Sequence, residues 1–280
     1  MVLLRSQKKK EKSSDLLKLL IVLSLPYIAL GLIQTGFLCL LPFIRIEFDL
    51  TRAQVGYYST LFFVSSAMLA IFAGSIVDKF GPKKSILFGI LVMALLMMFH
   101  GLSPSYEILL LLGFLIGLGA SFITPSVSKG IIIAVSSEER AISMGITQMR
   151  FGFGSIAGAS LLPFLGENLG WRIAVQFAVV FTLLTGILVH KLYQYQNKNL
   201  SESDINIAES QREKQCSLKE NIFSLFINKP LFRVCVFGIM FGTSAGAILS
   251  HFAVFLSEDI NLSLVEAGLG LGILQFGGYY

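Results

Sequence analysis

Residues 74–84 read GSIVDKFGPKK. An apolar run, 55–77, leads into them and another, 85–101, follows. One carboxylate, two glycines, a proline and three lysines thus crowd the gap between two greasy stretches. What that gap does depends on what the rest of the chain is.

Of the 280 residues, 54% are hydrophobic and 14% are charged, against about 25% charge in an ordinary soluble domain. Long apolar runs recur, most of them able to cross ~30 Å of hydrocarbon. Helices satisfy their own backbone groups in lipid, whereas open sheets do not. A barrel would show alternating segments of ~10 residues, and the sequence has none. The fold class expected is all-α, a polytopic membrane protein with full spans near 19–43, 55–77, 85–101, 106–127, 141–165, 171–192 and 231–256, and a partial one at 265–280.

The distribution of positive charge tests this order. With the N-terminus inside, inside segments carry eighteen of the 22 lysines and arginines, and outside segments only Arg45, Arg52 and Arg172. That asymmetry is the positive-inside rule. The net charge of +5 is therefore a topology signal and not a nucleic-acid footprint. The basic stretch from Arg5 to Lys12 precedes an apolar run too long for a signal peptide, so it reads as an anchor holding the first helix inside. The location expected is the cell (plasma or inner) membrane, multi-pass, N-terminus cytoplasmic.

The gap at 74–84 then lies on the inner side, and its chemistry follows. Gly74 is expected to let neighbouring helices approach closely. Gly81 and Pro82 make a tight turn. Asp78 ends the second span as a carboxylate that can bridge a basic residue or a helix N-terminus. Lys79, Lys83 and Lys84 hold the loop on the cytoplasmic side.

The domain division expected is a basic N-terminus at 1–18, a six-helix bundle at 19–192, a central loop at 193–229, and the first two helices of a second bundle at 230–280. The central loop is polar until Leu218, Ile222, Leu225 and Phe226 fall on one helical face, which reads as a short helix on the membrane surface. A repeat crosses this loop: residues 49–56 read DLTRAQVG and 261–268 read NLSLVEAG, 212 residues apart. Each copy sits between the first and second spans of its half, and parallel six-span repeats are a known transporter architecture.

GSIVDKFGPKK resembles the loop 2–3 motif of the major facilitator superfamily, G-x-L-a-D-r/k-x-G-r/k-r/k, with Gly74, Asp78, Lys79, Gly81, Lys83 and Lys84 on it and Ile76 in place of the Leu. The resemblance implies a secondary transporter in which this loop is an inner gate latch, with Arg140 a candidate partner of Asp78; the plainer alternative is a turn that only sets topology. ITQMRFGFGSIAGASLLPFLGENLGWR (146–172) is similar to the family's span five, with Gly152 where a proline is usual. In span four, Gly113 stands where many members carry an arginine used in proton coupling, which speaks against a standard drug/proton antiporter.

Arg150 lies well inside the fifth span, and an intramembrane arginine is a functional hypothesis by default. Two readings stay open: a binding group for a substrate anion, to which its planar fork is suited, and a structural arginine bonded to carbonyls or hydroxyls of neighbouring helices. No carboxylate lies deep in a span to pair with it. Tyr27, Gln34, Ser121, Thr124, Gln148, Ser244 and His251 are further substrate-binding candidates, since the family builds its cavity from these spans. Gln148 points away from Arg150 around the helix.

The leading functional expectation is a carrier of a small solute, an organic anion first, with a proton or an exchanged anion as co-substrate. Alternatives are a neutral solute or drug, or a truncated, transport-inactive fragment, because Gly74 displaced by 212 residues falls past Tyr280. An enzyme is not expected: no HExxH, His cluster, nucleophile elbow or phosphate loop is present. Cys39, Cys216 and Cys235 have no paired spacing, so neither a metal nor a cofactor is expected.

Overall fold

The computed structural model describes residues 2–197 and 228–277. All elements there are helices: α1 Val2–Glu47, α2 Arg52–Phe80, α3 Pro82–Gly101, α4 Tyr106–Ala134, α5 Arg140–Leu169, α6 Trp171–Asn197, α7 Lys229–Glu258 and α8 Leu264–Gly277. Each predicted span is thus helical over the residues described. Four stretches are individually long and apolar enough to cross a bilayer: Lys18–Glu47 of α1, and α3, α4 and Trp171–Tyr193 of α6. The two bent halves of α2 make a fifth when taken together. Cys216 and the amphipathic run from Leu218 to Phe226 lie outside the described residues.

Most helices run past the expected bounds; α4, for one, ends at Ala134 rather than near 127. Helix α1 begins at Val2 rather than near residue 19, because its Lys, Glu, Gln and Leu are good helix formers that carry the coil beyond the apolar part. Helix α6 continues to Asn197, and Tyr193 still packs against the core.

Packing pairs α1 with α5, α2 with α4, and α3 with α4 and α6; α8 lies against α5. Small residues line these seams. A Cβ on Gly154 would collide with the Ile28 carbonyl, and one on Gly158 would stand 2.5 Å from the Leu32 oxygen. On the α1 side, a Cβ on Gly36 would stand 3.1 Å from the Gly158 Cα. Backbones this close gain dispersion energy where lipid offers no hydrophobic drive between helices. Thr35 Oγ1 donates to Ser155 Oγ across the same seam at 3.0 Å. Helices α3 and α4 meet the same way, with a Cβ on Gly89 falling 2.9 Å from the Gly119 oxygen.

The sequence repeat is also a structural one. Asp49 and Asn261 have φ of 49° and 60°, a left-handed conformation that Asp and Asn tolerate better than most residues. Two residues later each copy caps a helix. Gln54 N donates to Thr51 Oγ1 at 3.3 Å while Thr51 N donates to Gln54 Oε1 at 2.8 Å. In the second copy Glu266 N donates to Ser263 Oγ at 3.2 Å and Ser263 N to Glu266 Oε2 at 2.9 Å. Both are capping boxes, so Thr51/Ser263 and Gln54/Glu266 match in role as well as in chemistry.

Gly154→Leu is expected to lower the thermal midpoint of the detergent-purified protein, since overpacking costs about 1–3 kcal/mol or more where backbone must move. Gly145→Leu, where a Cβ meets nothing within 4 Å, serves as control. Fluorescence-detected size exclusion after heating reads both, and equal midpoints would refute the close approach.

Candidate functional site

Helix α2 ends at Phe80 and α3 begins at Pro82, so Gly81 alone turns the chain. Its φ of 83° suits glycine. Gly81 N donates to the Val77 oxygen at 2.9 Å, and its own carbonyl accepts from Ser85 Oγ at 2.9 Å. Pro82 takes the first helical position, where a missing N–H costs nothing. The expected tight turn is present.

Two expectations at this loop need correcting. Asp78 is not paired with Arg140. It accepts from Lys129 Nζ on α4 at 2.5 Å, because α2 packs along α4. Arg140 instead bends back over the end of α4, donating from Nε to the Val135 oxygen at 3.3 Å and from Nη2 to the Ile132 oxygen at 3.2 Å. It caps carbonyls that a helix end leaves unpaired. Gly74 makes no close approach, since a Cβ there meets nothing within 4 Å among the described residues. Lys79 lies over the Phe80 ring at 5.7 Å, and Lys84 is exposed.

The opposite end of the bundle carries the charges that sequence reading passed over. Arg45 at the end of α1 forms an ion pair with Glu258 at the end of α7, and its Nε donates to the Leu50 oxygen at 3.0 Å. Arg52 at the start of α2 meets Glu258 at 2.9 Å and Asp259 at 3.1 Å. Two arginines before the central loop thus hold two carboxylates beyond it. Beside them, a Cβ on Gly56 would stand 3.2 Å from His251 Nε2. His251 is exposed and belongs to this rim. Glu47 bridges within the first unit, accepting from Trp171 Nε1 at 2.5 Å and pairing with Arg172 at 2.5 Å.

Between these ends lie the other candidates. Tyr27 on α1 is buried, and its hydroxyl lies near the hydroxyls of Thr124 and Ser128 on α4. The structure therefore brings Tyr27 and Thr124 together. Arg150 is half-buried; its Nη1 donates to the Leu20 oxygen of α1 at 3.4 Å. Ser24 Oγ donates to that same oxygen. The guanidinium thus reaches toward the Lys18 end of α1, and no ion pair reaches it among the described residues. Ser121 Oγ donates to its own helix at Leu118, 2.7 Å away. Gln34 lines an apolar hollow with Phe37, Tyr58, Ser59, Phe62 and Phe63. Leu20 and Gln34 are about 21 Å apart along α1 at ~1.5 Å per residue, so one small ligand does not touch both Arg150 and the hollow. Gln148 is half-buried and Ser244 exposed; the structure joins neither to the other candidates.

One buried polar pair was missed altogether. Tyr58 covers Gly113, where a Cβ would stand 2.6 Å from its ring. Its hydroxyl lies 2.9 Å from His100 Nε2. His100 is the penultimate residue of α3, where sequence alone reads a helix end; a histidine closing an apolar run was the available signal.

The Major Facilitator Superfamily model matches residues 23–279. An uncharacterized transporter, YybO, of Bacillus subtilis (strain 168) is 23% identical over 235 residues, covering 81% of this chain and 54% of its own length. Multidrug resistance protein 1 of the same organism is 29% identical over 179 residues, covering 64% and 45%. The chain thus spans about half the length of these relatives. Among solved structures, a bacterial homologue of the human lysosomal transporter Spinster, inward-facing and unoccupied, superposes with a TM-score of 0.66 at 21% identity, covering 95% of this chain and 60% of that one. That likeness is one of fold.

A double-mutant cycle of Asp78→Asn and Lys129→Gln in chemical denaturation is expected to give a coupling of up to ~1 kcal/mol, the scale of partly exposed pairs. Asp78→Asn and Arg140→Gln should be additive. Coupling to Arg140 alone would overturn the assignment.

Proposed function

This chain belongs to the Major Facilitator Superfamily, and from that premise we propose that it is the solute-moving part of a secondary transporter that carries a small organic anion by alternating access. Its N-terminus is cytoplasmic in this reading, so the Asp78 end faces in and the Arg45–Glu258 end faces out. The observation that carries it is the position of the charges joining the two units: Arg45 and Arg52 meet Glu258 and Asp259 at the outer end. Arg52 and Asp259 are 54% and 39% exposed, and such pairs contribute ~0–1 kcal/mol each. They are strong enough in sum to close one face and weak enough singly to part within a cycle.

Arg150 is the anion group of this reading. Among the described residues a backbone carbonyl alone holds this cation, which keeps donors free for a carboxylate or sulfonate, and desolvated arginine favours such a partner. The test is uptake by proteoliposomes containing the purified chain, offered a panel of radiolabelled organic anions. Arg150→Gln is expected to abolish uptake and Arg150→Lys to weaken it. Unchanged uptake of every anion by both variants would defeat the anion reading. Absence of transport with any solute would leave the chain a transport-inactive membrane fragment.

A second reading is a neutral or apolar solute: Phe37, Tyr58, Phe62 and Phe63 rim the hollow, whose volume of about 20 Å³ would have to widen to admit one. The relative named a multidrug resistance protein agrees with it. In that case uptake survives Arg150→Gln and falls with Gln34→Ala.

The gate has its own readout. In a background with Cys39, Cys216 and Cys235 replaced by serine, Gln34→Cys is expected to react slowly with an impermeant maleimide added outside. Adding Arg52→Gln and Glu258→Gln should speed the reaction severalfold. An unchanged rate would show that these pairs do not close the outer face.

A further inference from the structure

The Tyr58–His100 pair is not used by the anion site or by either gate. His100 is fully buried, and Tyr58 is 5% exposed. His100 Nδ1 lies 2.8 Å from the Leu96 carbonyl oxygen. A carbonyl only accepts, so Nδ1 carries the hydrogen of the neutral ring. Nε2 is then the acceptor, and the Tyr58 hydroxyl donates to it across 2.9 Å. The Phe37 ring on α1 packs against both partners, with centroids 4.7 Å from Tyr58 and 5.1 Å from His100. Gly113 on α4 leaves the space that the Tyr58 ring fills. Four helices therefore meet at one titratable side chain.

The groups on the surrounding elements are otherwise engaged. Arg172 on α6 is held by Glu47 and donates to the Ser103 oxygen at 3.2 Å. Gln176 donates to the Met98 oxygen at 3.0 Å. At the start of α4, Tyr106 donates to the Gln54 oxygen and Glu107 is exposed. On α1 the facing residue is Phe37. Among the described residues no ion pair reaches the imidazole.

Tyr58 also borders the hollow, which Gln34 and Ser59 line with it. Ser59 Oγ is buried and has no hydrogen-bond partner among the described residues. A buried hydroxyl without a partner is costly to keep and marks a place where another polar group is wanted.

We propose that His100 and Tyr58 form a proton-binding site whose occupancy decides whether the Tyr58 hydroxyl points at the imidazole or into the hollow. When a proton from hydronium joins Nε2, both ring nitrogens become donors. The Tyr58 O–H can then no longer donate to the ring. Its oxygen accepts from Nε2–H, and its own hydrogen turns away toward the hollow that Gln34 and Ser59 line. The N–H bond forms as an O–H bond of hydronium breaks and releases water; no other covalent bond changes. The hollow thereby changes from a nearly apolar surface to one that offers a donor. Coupling of that change to solute movement rests on the transporter reading; the proton site itself does not.

The test uses the full chain in lipid nanodiscs, with His190→Gln and His251→Gln leaving His100 as the only histidine. Nitrogen-15 NMR of the ring is followed across about pH 5 to pH 8, the range in which histidine charge changes. It is repeated with Arg52→Gln and Glu258→Gln added to open the outer face. The ring signals are expected to titrate in the opened form, and Tyr58→Phe is expected to shift the midpoint. A ring that stays neutral throughout that range in both samples overturns the proposal, as does a midpoint indifferent to Tyr58→Phe. In proteoliposomes, His100→Gln is expected to lose accumulation driven by a pH gradient while keeping solute exchange; loss of both together would mark a merely structural histidine. If the ring titrates as described and no solute moves under any gradient, the proton site stands and the transporter reading falls.

Discussion

The first unit is organised around how closely the α1 and α5 backbones approach. At Gly36, Gly154 and Gly158 there is no room for a Cβ, so the two helices run side by side, the carbonyl oxygens of one set against the main chain of the other. In lipid this seam takes the place of a hydrophobic core, because tails and side chains are equally apolar. Everything on the inner face inherits its register from the seam. Thr35 meets Ser155 only because the helices are this near. Arg150 reaches the Leu20 carbonyl for the same reason. A wider spacing would leave its guanidinium facing hydrocarbon with no backbone partner.

The same constraint separates what can be rigid from what can move. Packing within the first unit is glycine-tight at α1–α5 and α3–α4. The join to α7 at the rim is ionic and partly exposed. Dispersion in a tight seam is lost steeply with small displacements, whereas screened ion pairs part at little cost. Helix α8 is the exception, since a Cβ on Gly272 would stand 3.1 Å from Ala159 Cβ, and Cys39 Sγ lies 4.0 Å from the Gly268 oxygen. Helix α8 is thus packed against α5, while the end of α7 is tied by charge to α1 and α2.

Local chemistry was the legible part. The Gly81–Pro82 turn, the helical spans and the repeat at Asp49 and Asn261 all follow from residues adjacent in sequence, whose conformational preferences act wherever the chain goes. The partner of Asp78 did not follow, because Lys129 lies 51 residues away and only the packing of α2 on α4 brings it near. Arg140 was a reasonable candidate by position, but the nearer unpaired carbonyls of α4 claimed it. Gly74 illustrates the limit of a residue type as a signal: a small side chain permits close approach without causing it. His100 was overlooked since an apolar run ending in histidine looks like a helix reaching water, and burial is a property of the bundle.

The repeat also bears on why the join of Arg45 and Arg52 to Glu258 and Asp259 is complementary. Two copies of one unit carry like charges at equivalent positions, and meeting across a pseudo-two-fold they would repel. Here the copies have diverged. Arg45 and Arg52 of the first correspond to Ser257 and Leu264 of the second, while Ile46 corresponds to Glu258. The acid at Glu47 is retained as Asp259, but its tasks differ: Glu47 holds Trp171 and Arg172 within its own unit, and Asp259 crosses to Arg52. The two arginines stand in the first copy alone and the extra acid in the second, while the capping residues and the left-handed residue are alike in both. Helix starts need the latter in both copies; a join between the copies gives the former its sense, since opposite charge is what allows two surfaces to meet.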